Sequence, residues 1–271
     1  MLGAVVGDIV GSRFEFDRGG KTTEFELFGP GCDYTDDTVM TLAVAEALLE
    51  VDGDEDRADA ALVRAMRAFY RAHPAPTGGY GGRFAVWLAD PDAGPYGSFG
   101  NGSAMRVSSV GWLFDTLPEV ERWAQITARV THNHPEGVKG AQATAAAVFL
   151  ARTEGPSPAA KARLRTYVQD RFGYDLRRTL DEIRPGYRHV ETCQQTVPEA
   201  LTAYLESDGF EHAVRLAVSL GGDSDTLAAI TGSVAEAAYG IPEAIRTEAL
   251  ARLPEDLRAV VDRLDARERD R

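Results

Sequence analysis

The fold is decided by one stretch of the chain, GGDSDTLAAITGSVAEAAY at residues 221–239. The glycine pair at its start ends one predicted helix, and the next helix runs from Thr226 to Tyr239. Because this second helix is rich in Ala, Gly and Ser, it is apolar on nearly all sides and suits a tightly packed central position. The stretch therefore predicts a central helix with two carboxylates, Asp223 and Asp225, at its mouth.

A second acidic stretch, Thr35-Asp36-Asp37-Thr38, lies near the start of the chain. It precedes VMTLAVAEALL at residues 39–49, whose good helix formers predict a helix with both aspartates in or before its first turn. Either cluster alone is explained by helix capping, a common use of Asp and Thr. Two clusters with matching Asp-Thr endings favour a metal site, because Mg²⁺ prefers carboxylate and hydroxyl oxygens and two ions need more carboxylates than one motif offers.

Helix signals dominate the rest of the chain, and strand-like alternation is confined to weak candidates at 25–28 and 189–192. We expect an all-α fold in a single domain over residues 1–271, with long glycine-containing loops at 11–34 and 74–103 that are typical of functional segments. The further predicted helices are Arg57–Ala72, Glu136–Ala151 after Pro135, Pro198–Glu206, a helix to Leu220 that opens with a capping box at Asp208–Glu211, and an amphipathic tail over Leu253–Arg271 with a frayed end.

Composition limits the classes of function. The chain has 29 Lys and Arg against 42 Asp and Glu, a net charge of −13, which argues against an extended nucleic-acid surface because phosphate binding depends on clustered basic residues. No apolar run reaches transmembrane length, so we expect no membrane partner. The two cysteines, Cys32 and Cys193, lack zinc-site spacing, which fits a reducing cytoplasm. We expect the chain to be a monomer.

Two glycine-containing motifs supply further candidate residues. In Gly7-Asp8-Ile-Val-Gly11-Ser12-Arg-Phe-Glu15 the glycines allow close backbone approach and Glu15 could reach a site, although a lone Glu is more often a solvated surface residue. In the segment Tyr96–Arg106, glycines alternate with polar residues and predict a concavity of backbone N–H groups suited to phosphate, with the next helix start adding its dipole. Tyr96 or Phe99 could stack on a base. An ordinary turn is the alternative for this loop.

The motif Thr131-His-Asn-His-Pro-Glu-Gly137 contains two histidines, His132 and His134. No third His or Cys stands nearby, so a transition-metal site is disfavoured. A donor to ligand oxygens, or a structural histidine at the helix entrance, is favoured instead.

Taken together, the five motifs resemble the ADP-ribosylglycohydrolase family. The resemblance implies an orthogonal all-α fold that holds two magnesium ions, with manganese as an alternative, and hydrolysis of the bond at the anomeric carbon that releases ADP-ribose from a modified side chain or related acceptor. The motifs match in order as G-D-x-x-G-S-x-x-E (Gly7–Glu15), T-D-D-T (Thr35–Thr38), G-N-G-x-x-M-R (Gly100–Arg106), a Thr-His segment (Thr131–His134) and G-G-D-x-D-T (Gly221–Thr226).

The resemblance also implies residue roles. Glu15 and Asp36 are the catalytic candidates, assisting attack by a water that the metals polarise. The implied metal ligands are Thr35, Asp36, Asp37, Asp223, Asp225 and Thr226. The implied ADP-ribose-binding residues are Gly97, Ser98, Phe99, Gly100, Asn101, Gly102, Met105 and His132.

Two other functions remain open at this stage: a non-catalytic ADP-ribose-binding module and a magnesium-dependent nucleotide phosphohydrolase. The acceptor is also open, since arginine, serine, a nucleobase and other O-linked adducts all present an anomeric bond.

Overall fold

The structure is a computed structural model that describes residues 1–269. Within this range the chain forms fifteen α-helices, a 3-10 turn at Ser12–Phe14 and two isolated β-bridges, and it forms no strand. The all-α prediction is confirmed. In chain order the helices are α1 (Leu2–Gly11), α2 (Asp36–Val51), α3 (Glu55–Ala72), α4 (Gly82–Ala89), α5 (Gly102–Met105), α6 (Ser108–Leu113), α7 (Leu117–Arg129), α8 (Pro135–Glu154), α9 (Pro158–Phe172), α10 (Leu180–Ile183), α11 (Cys193–Glu206), α12 (Phe210–Val218), α13 (Ser224–Tyr239), α14 (Glu243–Ala251) and α15 (Glu255–Arg269).

Helix α13 is the centre of the fold, as its composition predicts. Every residue from Ser224 to Ala235 is buried, and α1, α8, α11 and α12 pack around the helix. The helix is bounded by glycines in the left-handed region, with φ of +72° at Gly222 before it and +71° at Gly240 after it. These positions favour glycine because other residues adopt this conformation only at a cost.

Helix α1 packs antiparallel against α13 along a seam of small residues. A β-carbon built on Gly7 would lie 1.9 Å from the carbonyl oxygen of Ala228, and one built on Gly3 would lie 2.2 Å from that of Gly232. The backbones therefore approach closely only because side chains are absent. This arrangement brings the C-terminal end of α1 to the N-terminal end of α13, where Ser224 Oγ donates to the Gly11 carbonyl at 2.9 Å.

Helix α2 begins beside the N-terminal end of α13. Thr35 caps it by accepting a hydrogen bond from the Asp37 backbone N–H at 3.1 Å, and both aspartates of the motif lie in the first turn. The helix ends at Val51, and the next residue, Asp52, caps it with a φ of +47°. Because α2 packs against α1, α3 and α15, its start is fixed close to the start of α13.

Three local predictions are wrong. The candidate strands at 25–28 and 189–192 do not form, because the backbone there is irregular apart from an isolated bridge between Thr192 and Gly100. Helix α11 begins at Cys193 rather than Pro198, because the Cys193 N–H donates to the Phe99 carbonyl and its side chain is buried. The capping box at the start of α12 does not form: Gly209 is the N-cap residue, and the Asp208 carboxylate pairs with His212 instead.

The helices α1, α4, α6, α7, α9, α10 and α14 were not predicted, and α4 lies inside the expected 74–103 loop. The tail helix is confirmed as α15, whose predicted frayed end lies partly outside the described residues. None of the helices within residues 1–269 is long and apolar enough to cross a lipid bilayer. Both cysteines are buried free thiols.

Candidate active site

The two acidic stretches meet. Thr226 Oγ1, in the first turn of α13, donates to Asp37 Oδ2, in the first turn of α2, at 2.9 Å. Glu15, which follows α1 closely, also joins them: carboxylate oxygens of Glu15, Asp223 and Asp225 lie within 4.8 Å of one another. Residues that are about two hundred positions apart in sequence are therefore gathered at one point by the crossing of α1, α2 and α13.

Asp8 lies behind this cluster and fixes the Thr35–Thr38 stretch. Its buried carboxylate accepts from the Thr35 N–H at 2.9 Å and Thr35 Oγ1 at 2.7 Å, and from the Thr38 N–H at 3.1 Å and Thr38 Oγ1. Four hydrogen bonds to the Asp8 carboxylate therefore fix the start of α2 against α1. Asp8 belongs to a motif that the sequence analysis singled out, but no role was predicted for it.

Thr35, a predicted metal ligand, is occupied by these contacts. Its hydroxyl donates to Asp8 and accepts from the Asp37 N–H, which leaves one lone pair on the oxygen. The other predicted ligands line a common cavity together with Glu15, whereas Thr35 is not among the lining residues. These five are Asp36, Asp37, Asp223, Asp225 and Thr226.

The carboxylates of the cluster raise one another's pKa. Burial is the largest cause for Asp36, Asp37 and Asp225, whose pKa values lie well above the usual range, and the neighbouring carboxylates add to it. Burial and the charge of Asp223 raise the pKa of Glu15 to about 7. Negative charge in this site is therefore costly unless a cation accompanies it.

The donor set suits divalent cations. Oδ1 of Asp225 and Oε2 of Glu15 are buried and have no hydrogen-bond partner in the described part of the chain. Unpaired buried oxygens are rare unless something else satisfies them. Carboxylate and hydroxyl oxygens are the ligands of Mg²⁺ and Mn²⁺, so the residues present fit a pair of such ions.

Glu15 is held by a strained turn. The next two residues, Phe16 and Asp17, have φ of +60° and +59°, a conformation that costs about 1–3 kcal/mol at a non-glycine residue. Asp17 stabilises the turn by accepting from the Gly222 N–H at 2.8 Å and the His189 N–H at 3.2 Å. The catalytic candidate is thereby tied to the loop that carries Asp223.

The cavity, of about 530 Å³, extends from the carboxylates to the glycine-rich loop. All the predicted ADP-ribose-binding residues except Gly97 line it. Part of the expected concavity is already occupied, because four N–H groups of the loop donate to protein oxygens. Those of Gly97, Ser98, Gly100 and Asn101 bond to Asn133, Thr131, Ser98 and Glu191. The helix after the loop, α5, is a single turn and adds little dipole.

The two histidines have different places. His132 is buried and lines the cavity, with Nδ1 2.7 Å from the Thr131 hydroxyl oxygen. His134 caps α8 by accepting from the Glu136 N–H at 3.1 Å, so it is the structural histidine at a helix entrance.

Comparison with known proteins agrees with this geometry. The sequence model of the family described as ADP-ribosylglycohydrolase matches residues 1–271. The chain belongs to the ADP-ribosylglycohydrolase family. It is similar to ADP-ribosylhydrolase ARH3 of Homo sapiens, with 26% identity over 90% of this chain and 85% of the relative. It is also similar to ADP-ribosylarginine hydrolase Tri1 of Pseudomonas putida, with 29% identity over 89% of this chain and 70% of the relative.

A solved structure described as an ADP-ribosylglycohydrolase-related protein complex superposes with a TM-score of 0.69 and 28% identity, covering 97% of this chain and 94% of the other. The relatives support a glycohydrolase activity for this chain. Its all-α fold matches that of the solved structure.

Several cavity residues of this ADP-ribosylglycohydrolase were not predicted as site residues. Arg106 stands in the G-N-G-x-x-M-R motif, and the others come from the 74–103 loop and from the segment before α11. The glycine-rich composition of the loop was the available signal. These residues are Tyr80, Arg83, Arg106, His189, Glu191 and Thr192.

Proposed function

We propose that this chain is a magnesium-dependent ADP-ribosylhydrolase that cleaves the bond between the anomeric carbon of ADP-ribose and its acceptor. One observation carries the proposal: five carboxylates, of Glu15, Asp36, Asp37, Asp223 and Asp225, line one wall of a cavity whose other wall is the glycine-rich loop. A nucleotide sugar with a diphosphate needs both walls, since one must hold the ribose at the reacting bond and the other the rest of the ligand.

The ligand set proposed for two magnesium ions is Asp36, Asp37, Asp223, Asp225 and Thr226, with the remaining lone pair of Thr35. Bound ions would neutralise these carboxylates and polarise oxygen atoms of the ribose and of water. Asn101 holds Asp223 in place, since its Nδ2 donates to Asp223 Oδ2 at 2.6 Å. The start of α2 is held by Asp8 in the same way, so the carboxylates are preorganised before ligand binds.

Glu15 and Asp36 are the proposed catalytic residues. Cleavage of the glycosidic bond develops positive charge on the ribose, and a nearby carboxylate stabilises that charge or takes the proton of the attacking water. In the metal-free site burial and Asp223 raise the pKa of Glu15 to about 7. Bound cations would lower this pKa and keep the carboxylate charged, which is the form that accepts a proton or stabilises positive charge. Glu15 is half-buried, so it contacts both the cluster and the cavity.

The loop side of the cavity is proposed to bind the diphosphate and adenosine. The whole cavity has a volume of about 530 Å³, within the range of about 300–1,000 Å³ that is typical of small-molecule sites. Phe99 is 42% exposed at this side and is available for stacking on a base. His132 and Ser98 supply polar groups along the wall.

The test measures release of ADP-ribose from arginine-, serine- and nucleic-acid-linked substrates, with Mg²⁺ and with EDTA. Asp225→Asn should abolish release, whereas Asp92→Asn, the same change at an exposed carboxylate away from the cavity, should leave it unchanged. Metal-dependent release from one linkage supports the proposal and identifies the acceptor. Release that is insensitive to EDTA and to Asp225→Asn contradicts it.

Product analysis separates the alternatives. Free ADP-ribose with an intact pyrophosphate supports the glycohydrolase. AMP with ribose phosphate indicates a nucleotide phosphohydrolase, and ADP-ribose binding without any product indicates a binding module.

A further inference from the structure

Three buried side chains form a hydrogen-bonded line behind the glycine-rich loop. Arg106 Nη2 donates to Thr131 Oγ1 at 2.7 Å, and Thr131 Oγ1 lies 2.7 Å from His132 Nδ1. The exposed fractions of Arg106, Thr131 and His132 are 1%, 0% and 4%. Since water has no access to Thr131, the protons of this line must be shared among the three side chains.

Counting these protons fixes the tautomer of His132. Arginine only donates, so the Thr131 oxygen accepts from Arg106. If His132 carried its proton on Nδ1, Thr131 would accept from both neighbours, and its own proton would have no acceptor among its hydrogen-bond contacts. A buried donor without an acceptor is costly, so Thr131 donates to Nδ1 and the imidazole proton stands on Nε2.

Nε2 points to the ligand side. A β-carbon built on Gly102 would lie 3.4 Å from Nε2 and one built on Gly100 would lie 3.6 Å from it, so the nitrogen is against the loop that lines the cavity. We propose that Arg106 and Thr131 are positioning residues that hold His132 as the neutral Nε2–H tautomer, which donates a hydrogen bond to an oxygen of bound ADP-ribose. This inference rests on the proposed function for the identity of the ligand.

The pKa of His132 agrees with this tautomer. Burial lowers the pKa of His132 well below its usual value, and the positive charge of Arg106 lowers it further. The imidazole is therefore neutral near neutral pH, and it recognises oxygen through a directed N–H rather than through charge.

The first arm of the test needs no ligand and no metal. Nitrogen-15 NMR of the histidine side chains in the whole protein reports which ring nitrogen carries the proton. Wild type should show His132 protonated at Nε2. Thr131→Val removes the hydroxyl at nearly constant volume, so the unprotonated Nδ1 loses its hydrogen-bond donor and its resonance should shift, whereas Thr131→Ser should restore the wild-type spectrum. An Nδ1–H wild type, or an Nδ1 resonance that Thr131→Val leaves in place, overturns the proposal.

The second arm measures ADP-ribose binding by calorimetry. Thr131→Val should raise Kd on the order of tenfold, and Thr131→Ser should leave it within about twofold. In a His132→Ala background Thr131→Val should add nothing, because the hydroxyl acts through the imidazole. An equal loss in both backgrounds shows that Thr131 has only a packing role and overturns the inference. If the wild-type protein binds no ADP-ribose, both the proposed function and the hydrogen bond from His132 to ADP-ribose are refuted. The NMR experiment still decides whether Thr131 fixes the tautomer of His132.

Discussion

Asn101 Nδ2 lies 2.6 Å from Asp223 Oδ2, and this contact joins the glycine-rich loop to the carboxylate cluster. The same amide nitrogen also contacts Thr196 Oγ1 at 3.1 Å. Because the amide nitrogen donates to Asp223, the loop presents a hydrogen-bond donor to a carboxylate whose pKa is already raised by burial. The position of the loop and the charge of the cluster are therefore coupled.

Asn101→Asp should disrupt this coupling. The change replaces the donor with a carboxylate directly against Asp223, and an uncompensated buried charge of this kind costs about 3–5 kcal/mol. We expect kcat/KM for ADP-ribose release to fall at least about a hundredfold, since 1.4 kcal/mol corresponds to a factor of ten, and the free energy of unfolding to decrease in metal-free buffer. Asn133→Asp is the control, because that exposed side chain uses its oxygen to accept from the Gly97 N–H. Similar kinetics for the two variants would refute the coupling.

Glu15→Gln should lower turnover more than binding. The amide keeps the size of the side chain but removes its charge and its capacity to take a proton, a role that is worth about a hundredfold to ten-thousandfold in rate. We therefore expect a fall of that order in kcat with a Kd for ADP-ribose close to wild type. Glu24→Gln, at an exposed position of the same segment, should behave as wild type. Equal losses of turnover and binding would assign Glu15 to ligand binding alone.

The metal-free protein should lose stability as pH rises. The folded pKa of Glu15 is raised from 4.5 to about 7 and that of Asp8 from 3.8 to about 6, so the native state retains protons that the unfolded chain releases. Stability is then fullest below the unfolded pKa values and falls as pH passes through the folded ones. Thermal unfolding in EDTA should show Tm decreasing from about pH 4 to about pH 7. A Tm that rises over this interval contradicts the burial of these carboxylates.

Magnesium should reverse this loss. At a concentration a hundredfold above Kd, a ligand that binds only the native state stabilises it by about 2.7 kcal/mol. We expect Mg²⁺ to raise Tm at about pH 8 in wild type, and Asp225→Asn to raise the metal-free Tm while removing most of the response to Mg²⁺. Asp92→Asn should leave both values unchanged. The same response to Mg²⁺ in wild type and Asp225→Asn would place the ion elsewhere.

The sequence predicts the helices whose evidence is local. Helix α13 and the body of α2 follow from runs of Ala, Leu and Val, and the start of α8 follows from Pro135. Helix α1 was missed because Asp8 interrupts a run of only ten residues, and only the fold shows that this aspartate is buried against the start of α2. Local pattern holds no information on a partner thirty residues away.

The site residues also fall into those that local sequence predicts and those that it does not. The acidic residues were found because they cluster beside helix starts, but their convergence came from the family resemblance, since no periodicity specifies that α1 crosses both α2 and α13. Glu191 and Arg83 reach the cavity from segments without any motif. Such contacts depend on tertiary packing.

The seam between α1 and α13 gives the clearest test of that packing. A β-carbon on Gly7 would lie 1.9 Å from the Ala228 carbonyl oxygen, so Gly7→Ala forces the helices apart and should lower the free energy of unfolding by about 3 kcal/mol or more. Helix propensity alone predicts the opposite, because Ala is favoured over Gly by about 1 kcal/mol inside a helix. The sign of the change therefore decides between an isolated helix and a packed one.

The measurement is urea unfolding followed by circular dichroism, with Gly94→Ala as the control. Gly94 is exposed in irregular backbone, its φ lies outside the left-handed region and a β-carbon there would meet no atom within 4 Å, so an added methyl group should change stability by no more than about 0.5 kcal/mol. A Gly7→Ala variant as stable as wild type would mean that α1 does not lie against α13. The position of Glu15 beside Asp223 and Asp225 would then lose its structural basis, because that seam is what brings the end of α1 to the start of α13.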